Sequence, residues 1–200
     1  MTYDTNNIFG RVLETVFLDR DGVLNEKKPE GCYVASRADF HVLPGVPEAI
    51  RSLNRAGLRV IVVSNQRGIA RGLYTAADVE MIHSGFQETL KPYGAHIDRF
   101  YFCPHEKQEC NCRKPLPGQF ELAVMEFPGI SAKASAIIGD SFSDIEFGRR
   151  LGMLTVFLDS HAESQTRDGE FAGDLADLCF HSLAEAVQHL LGERATKPMM

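Results

Sequence analysis

The sequence predicts an α/β fold with a doubly wound parallel sheet. Five short apolar runs have the character of strands that are buried on both faces. They lie at residues 14–18, 58–64, 98–102, 134–139 and 153–158. Amphipathic segments separate them, and this alternation is typical of a parallel sheet covered by helices. A chain of 200 residues has the size of one domain, so we expect a single domain over 1–200 with its core at 12–192.

Three helices have clear sequence signals. Residues 46–57 carry apolar side chains at helical spacing and stop at a glycine. Thr75 and Ser182 each begin a capping box, in which a side chain satisfies a free backbone N–H group of the first turn. These boxes predict helices near 76–91 and 183–191.

A polar insert follows the first strand. It spans residues 26–40 and is too long for an ordinary connection, so we expect it to fold over the site as a small lid. The sequence contains no insertion large enough for a large cap domain, which favours a monomer with an open site.

Composition and charge argue against several functional classes. The chain has 21 basic and 27 acidic residues, a net charge of −6, which does not favour a nucleic-acid surface. A local basic cluster can still bind a small anionic metabolite. The first ten residues lack the pattern of a signal peptide, and the longest aliphatic run, at 60–63, is too short to cross a bilayer. We therefore expect a cytoplasmic protein with no membrane partner.

Three aspartates should meet at one edge of the sheet. Asp19 follows the first strand and Asp140 follows the fourth, so both should project into the crevice at the carboxyl ends of the strands. Asp21 lies two residues further on, where Gly22 lets the chain turn. Such close like charges require a divalent cation, and carboxylate oxygens favour Mg²⁺. Asp144 either joins this group or only opposes a helix dipole.

A cysteine-rich loop precedes two basic residues. Its four candidate ligands are Cys103, His105, Cys110 and Cys112. Four N/S ligands complete the tetrahedral shell of Zn²⁺ and leave no open position, so loop 103–112 should hold a structural zinc. Arg113 and Lys114 follow directly, and a loop tied by zinc would hold both cations in place beside the crevice.

Four motifs in order resemble those of the haloacid dehalogenase-like phosphatases. They are DRDGVLN (19–25), VVSNQ (62–66), RKP (113–115) and IGDSFSD (138–144). Within that superfamily, NQRGIARG (65–72) and the zinc loop resemble the D-glycero-D-manno-heptose 1,7-bisphosphate phosphatases. The related histidinol-phosphate phosphatases share the zinc loop.

The resemblance implies a Rossmann-like core and a covalent mechanism. Asp19 would attack phosphorus and form an aspartyl-phosphate. Asp21 would protonate the leaving oxygen and then deprotonate the attacking water. Mg²⁺ would be held by the carboxylates of Asp19 and Asp140 and by the main-chain carbonyl of Asp21.

The resemblance also assigns the side chains that bind the substrate. Ser64 and Lys114 would bind phosphoryl oxygens, as a donor and a cation. Asn65 and Arg113 would reach the phosphate or the rest of the substrate. Ser141 stands where the family usually has a lysine, which leaves one cation fewer toward the substrate.

These roles predict a Mg²⁺-dependent phosphomonoesterase that removes the C7 phosphate of a heptose bisphosphate during nucleotide-heptose synthesis, a route that leads to lipopolysaccharide. Histidinol phosphate is the alternative substrate, and the mixed charges of the 26–40 insert do not decide between the two. A phospho-accepting signalling domain also places an aspartate beside Mg²⁺, but it gains nothing from a general acid at Asp21. A zinc-stabilised binding module with an inactive site is the remaining alternative, although every catalytic position is filled.

Overall fold

The computed structural model describes residues 7–8, 11–29, 31–159, 166–167 and 170–192. A six-stranded sheet forms its centre. The strands are β1 (Thr15–Leu18), β2 (Arg59–Asn65), β3 (Arg99–Cys103), β4 (Ser135–Gly139), β5 (Leu154–Leu158) and β6 (Leu178–Phe180). They lie in the order β6-β5-β4-β1-β2-β3, and every neighbouring pair is parallel.

Helices connect and cover the strands. They are α1 (Val46–Arg55), α2 (Ala76–Leu90), α3 (Gly118–Glu126), α4 (Phe142–Leu151), α5 (Ala172–Leu175) and α6 (Leu183–Leu190). Short 3₁₀ helices occur at Arg37–Asp39, Lys91–Tyr93 and Ala132–Ala134. Two-residue strands pair antiparallel outside the sheet, Asn7–Ile8 with Arg11–Val12 and Thr166–Arg167 with Glu170–Phe171. Within the described ranges, no helix is long and apolar enough to cross a membrane.

Burial of the sheet on both faces explains the apolar runs. Val16 and Leu18 of β1 pack into a core that includes side chains of α1 and α6. Phe17 points to the opposite face, where it packs with Ala123 of α3 and Phe147 of α4. Because successive side chains of a strand alternate between faces, a strand covered on both sides is apolar throughout. The predicted doubly wound α/β fold is confirmed.

The five predicted strands lie within one residue of their observed bounds, whereas β6 was not predicted. Its three residues are exposed or half-buried at the edge of the sheet, so its sequence lacks a buried apolar run. The predicted caps are present as well. Thr75 Oγ1 accepts a hydrogen bond from the N–H of Asp78 at the start of α2, and Ser182 Oγ accepts one from the N–H of Glu185 at the start of α6.

The strand order places a crevice between β1 and β4. The chain runs from β1 through β2 to β3 on one side and then crosses to β4 on the other side of β1. Ligands in open α/β sheets bind where the strand order reverses, beyond the carboxyl ends of the strands. Residues 27–29 and 31–34 of the 26–40 insert border this crevice, and no large cap domain is evident in the described part of the chain.

Candidate active site

A polar cavity of about 270 Å³ lies at the carboxyl ends of β1, β2 and β4. Six of the residues singled out from the sequence line it: Asp19, Asp21, Asn65, Arg113, Lys114 and Asp140. Ser64 is buried directly beneath, as the penultimate residue of β2. The fold therefore brings the sequence-predicted residues of all four motifs to one place.

Three carboxylates form a cluster at this point. Oxygen atoms of Asp19, Asp140 and Asp144 lie within 4.8 Å of one another. Burial raises the pKa of Asp19 to about 7, and the charges of Asp144 and Asp140 act in the same direction. Among the described residues, the buried Oδ1 atom of Asp140 has no hydrogen-bond partner. Hard oxygen donors, mutual repulsion and an unpaired buried oxygen all fit a divalent cation such as Mg²⁺.

Gly22 allows the turn after β1 to approach Asp140 closely. Its φ angle is 93°, in the left-handed region that favours glycine. A Cβ atom at this position would lie 2.1 Å from Asp140 Oδ2. The geometry of the carboxylate cluster therefore depends on a glycine at position 22.

Lys114 is buried among the acids. Its Nζ donates hydrogen bonds to Asp19 Oδ1 at 2.7 Å, to Asp144 Oδ1 at 2.6 Å and to the carbonyl of Val63 at 2.6 Å. Burial alone would lower the pKa of Lys114, but the two carboxylates outweigh it and hold this pKa above its ordinary value. The lysine therefore carries a positive charge directly beside the Asp19 carboxylate.

Asn65 holds the main chain of Lys114 in place. Its amide accepts a hydrogen bond from the N–H of Lys114 at 2.9 Å and donates one to the carbonyl of the same residue at 3.0 Å. Both polar atoms of this side chain are thus bonded to the loop that carries the lysine. The structure accordingly shows a positioning contact for Asn65, while its contact with substrate stays a prediction.

Asp21 lies in a separate group of donors. Its carboxylate accepts hydrogen bonds from Arg20 at 2.9 and 3.0 Å, from Asn25 at 2.9 Å and from Gln66 at 3.1 Å. Although burial acts to raise the pKa of Asp21, Arg20 and the hydrogen bonds hold it below its ordinary value. The Asp21 side chain is therefore ionised, and the third carboxylate of the acidic cluster belongs to Asp144 instead.

Asp144 lies in the carboxylate cluster and also caps the start of α4, so its role is not limited to the end of the helix. Its Oδ2 accepts hydrogen bonds from the N–H and Oγ of Ser141 at the start of α4, at 3.1 and 2.5 Å. Its Oδ1 accepts the hydrogen bond from Lys114. The first turn of α4 is thereby fixed to the centre of the cavity.

The cysteine-rich loop brings its four candidate ligands together. Cys103 Sγ lies 3.5 Å from Cys110 Sγ and 3.8 Å from His105 Nδ1, and Cys112 Sγ lies 3.4 Å from Cys110 Sγ and 3.3 Å from His105 Nδ1. Ligand atoms at about 2.0–2.3 Å from a tetrahedral Zn²⁺ are separated from one another by roughly 3.3–3.8 Å. The spacing thus fits zinc, in a loop that begins at the buried end of β3.

Several contacts connect the lid, the turn after β2 and the cysteine-rich loop. The hydroxyl of Tyr33 accepts hydrogen bonds from Arg67 at 3.3 Å and Arg71 at 3.4 Å. Arg71 also donates to Glu106 at 2.8 Å. The lid is therefore fastened to the loop that carries the candidate zinc ligands.

Sequence reasoning missed two cations at the site. Lys27 Nζ donates to Asp140 Oδ2 at 2.6 Å, from a position 113 residues away in the chain. The buried Arg20 binds the carboxylate of its neighbour Asp21. No feature of the sequence around Lys27 predicts its contact with Asp140. For Arg20, by contrast, its position between two acidic residues was a signal that could have been used.

Comparison with known proteins agrees with this geometry. Residues 13–152 match the family model described as haloacid dehalogenase-like hydrolase. A Mycobacterium bovis protein named D-glycero-alpha-D-manno-heptose-1,7-bisphosphate 7-phosphatase is 38% identical over 183 residues, which cover 90% of this chain and 94% of that protein. An Escherichia coli protein named D-glycero-beta-D-manno-heptose-1,7-bisphosphate 7-phosphatase is 34% identical, over 86% of this chain and 92% of its own length.

A solved structure is similar over most of the chain. It is the D,D-heptose 1,7-bisphosphate phosphatase from B. bronchiseptica, complexed with magnesium and phosphate. The TM-score is 0.77 at 28% sequence identity, and the match covers 91% of this chain and 100% of that one. The similarity therefore covers nearly the whole of both chains.

Proposed function

This chain belongs to the haloacid dehalogenase-like hydrolase family, and we propose that it is a Mg²⁺-dependent phosphatase that removes the C7 phosphate of D-glycero-D-manno-heptose 1,7-bisphosphate. The observation that carries the proposal is the contact of Lys114 with Asp19 inside the cluster of Asp19, Asp140 and Asp144. A nucleophilic carboxylate, a fixed cation and a set of hard oxygen ligands are what phosphoryl transfer needs. The two relatives given above are named as 7-phosphatases of this heptose bisphosphate, one for the alpha anomer and the other for the beta anomer.

Asp19 is the nucleophile in this proposal. One of its carboxylate oxygens forms a bond to the C7 phosphorus as the bond between phosphorus and the C7 oxygen breaks. Asp21, which is ionised in the free enzyme, takes up a proton from solvent in the substrate complex and gives that proton to the leaving oxygen. A water then attacks the phosphorus and loses a proton to Asp21, the bond to Asp19 breaks, and inorganic phosphate leaves. Throughout, Lys114 and Ser64 bind the phosphoryl oxygens.

The cation would be held by the carboxylates of Asp19 and Asp140 and by the main-chain carbonyl of Asp21. When bound, Mg²⁺ offsets the negative charge of the carboxylates and of the phosphoryl oxygens. The unpaired Oδ1 of Asp140 supports this assignment. Lys27, which binds the other oxygen of the same side chain, keeps Asp140 oriented from the lid.

Zn²⁺ is the second metal in the proposal, with a structural role. Cys103, His105, Cys110 and Cys112 would complete its shell, so that no position is left for a substrate. The loop leads directly into Arg113 and Lys114. Zinc would thereby hold the loop that brings Lys114 to the nucleophile, and Arg113 lines the cavity from the same loop as a candidate contact for the sugar.

The alternative substrate is histidinol phosphate, which the same chemistry would hydrolyse. The cavity is lined by three carboxylates and by five basic side chains beyond Lys114, namely Arg20, Lys27, Lys28, Arg67 and Arg113. This excess of positive charge favours a substrate with a second phosphate over one with an amine. Monomeric state, cytoplasmic location and the lack of a nucleic-acid partner stay predictions.

Phosphate release tests the proposal. The enzyme, loaded with Mg²⁺, is given both anomers of D-glycero-D-manno-heptose 1,7-bisphosphate and, separately, L-histidinol phosphate, with Asp19→Asn as the control. We expect kcat/KM at least about 100-fold higher for a heptose anomer, which corresponds to about 2.7 kcal/mol of transition-state binding. Preference for histidinol phosphate would replace the proposed substrate, and wild-type and Asp19→Asn proteins that both lack turnover would support a non-enzymatic module.

A further inference from the structure

Gln66 is a buried side chain that touches two of the proposed catalytic residues. It follows β2 and is 2% exposed. Its Nε2 donates hydrogen bonds to Asp21 Oδ2 at 3.1 Å and to Ser64 Oγ at 3.2 Å. One amide group therefore lies between Asp21, the proposed general acid, and Ser64, the proposed hydrogen-bond donor to the phosphate.

The orientation of this amide is set from its other end. The hydroxyl of Tyr74 donates to Gln66 Oε1 at 2.7 Å, in a fully buried contact. The carboxylate of Asp21 also accepts hydrogen bonds from Arg20 and Asn25, so Gln66 presents its NH₂ end to this acceptor. If the amide were reversed, its carbonyl oxygen would face a carboxylate oxygen of Asp21. Both atoms are acceptors, so no hydrogen bond could form between them. Tyr74 stabilises the productive orientation because its O–H occupies the oxygen end.

The position of Tyr74 is itself fixed by close packing. Tyr74 is 7% exposed, and a Cβ atom at Gly68 would lie 2.2 Å from its ring. Its ring also contacts that of Tyr33 in the lid, with centroids 5.8 Å apart. A tyrosine held this tightly can set the direction of a hydrogen bond over the catalytic cycle.

We propose that Tyr74 and Gln66 are positioning residues that orient the Asp21 carboxylate for proton transfer to the leaving oxygen. Tyr74 acts through Gln66 and touches neither the substrate nor the reacting atoms. The same amide orients Ser64. Its Oγ accepts a hydrogen bond from Gln66, which leaves its own O–H free to donate to the phosphate. This inference rests on the proposed phosphatase activity and extends it to Gln66, the last residue of the second motif, and to Tyr74, which lies outside the four motifs and the zinc loop.

The leaving group separates positioning of Asp21 from other effects. A sugar alkoxide is a poor leaving group and needs a proton from Asp21, whereas p-nitrophenolate leaves without one. Contacts with the phosphate, including that of Ser64, are the same for both substrates. A change in the ratio of the two rates therefore reports on proton transfer, and partial unfolding lowers both rates equally.

The test compares Tyr74→Phe with wild type on heptose bisphosphate and on p-nitrophenyl phosphate, both with Mg²⁺. We expect kcat/KM on the heptose substrate to fall about 10-fold and kcat/KM on p-nitrophenyl phosphate to stay within about 2-fold, because kcat/KM reports the steps up to departure of the leaving group and not the later hydrolysis in which Asp21 is the base. The matched control is Tyr101→Phe, since Tyr101 is 9% exposed and its hydroxyl donates to Glu126 away from the cavity. That variant should keep the wild-type ratio.

Gln66→Met provides a second variant of similar volume, and we expect the same change in ratio. Equal losses on both substrates, or a wild-type ratio in both variants, would overturn the inference while leaving the phosphatase proposal intact. If the wild type cleaves p-nitrophenyl phosphate but not the heptose, the comparison uses whichever alkyl phosphate is turned over. A wild type that hydrolyses neither class would overturn the proposed function and this inference together.

Discussion

The Oδ1 atom of Asp140 is the buried oxygen that most directly indicates a cation in the crevice. Asp19 and Asp140 could be predicted from the sequence because the carboxyl ends of parallel strands meet at one edge of a sheet. Whether Asp144 belongs to the same carboxylate cluster could not be predicted in this way. It depends on how the first turn of α4 faces the crevice. It also depends on the hydrogen bond from Lys114, which comes from a loop that is distant in sequence.

Gly22→Ala tests the close approach at this cluster. The added Cβ would collide with Asp140 Oδ2, so we expect weaker Mg²⁺ activation, with at least about a 10-fold higher Mg²⁺ requirement, the size of effect given by about 1.4 kcal/mol. Gly57→Ala is the matched control, because Gly57 also has a positive φ of 77° but no atom within 4 Å of the built Cβ. It should lose about 1 kcal/mol of stability and keep the wild-type Mg²⁺ titration. An unchanged titration in Gly22→Ala would contradict the proposed site.

At the scale of elements, the loops that follow β1, β2, β3 and β4 assemble the cavity. The cysteine spacing alone predicted that loop 103–112 gathers its thiols, since the ligands are close in sequence. Its link to the lid through Arg71 and Tyr33 was not predictable. Those residues are ordinary surface types, and only the fold brings the lid, the turn after β2 and the loop together.

Cys110→Ser tests the structural role proposed for zinc. Loss of one ligand should lower the zinc content, the thermal midpoint and kcat together, because the loop also carries Lys114. We expect metal analysis to show well under one zinc per chain, and added Mg²⁺ should not restore the rate. The matched control is Cys179→Ser, at an exposed cysteine of β6. Normal zinc content, stability and turnover in Cys110→Ser would rule out the assignment.

At the scale of the whole molecule, the resemblance seen in the four motifs is confirmed by the family match over 13–152 and by relatives that are 38% and 34% identical. The sheet was predictable because central strands buried on both faces are apolar throughout, as in Val60–Val63. Edge strand β6 and helix α3, which has no side-chain cap, lack so clear a local signal, whereas α4 begins with a capping box at Ser141 and Asp144. Their positions follow from packing against strands that are distant in sequence.

Stability at acidic pH should depend on His83. This side chain is 5% exposed and stacks on Phe100 with ring centroids 4.4 Å apart. Burial lowers its pKa to about 3, and the positive charge of Arg20 acts in the same direction. Because an unfolded histidine titrates near 6.5, the unfolded chain binds a proton that the folded protein excludes. Stability is therefore lost as the pH falls from about 6.5 to about 3, by up to about 1.4 kcal/mol per pH unit from this group.

The measurement is the free energy of unfolding in urea at several pH values across that range. His83→Gln should show a flatter decline than wild type, whatever its stability at neutral pH. His96→Gln, at a half-exposed histidine, should keep the wild-type slope. Parallel declines in wild type and His83→Gln would show that His83 is not protonated differently in the folded and unfolded chains.

The central claim is that Asp19 accepts the phosphoryl group, and the most direct test is a rapid-quench experiment on Asp21→Asn with p-nitrophenyl phosphate and Mg²⁺. This substrate needs no acid to leave, whereas hydrolysis of the aspartyl-phosphate needs a base at position 21. We predict a burst of about one p-nitrophenolate per active site, followed by slow turnover. The peptide containing Asp19 should gain the mass of one phosphoryl group. A linear time course with an unmodified Asp19 peptide would contradict the claim.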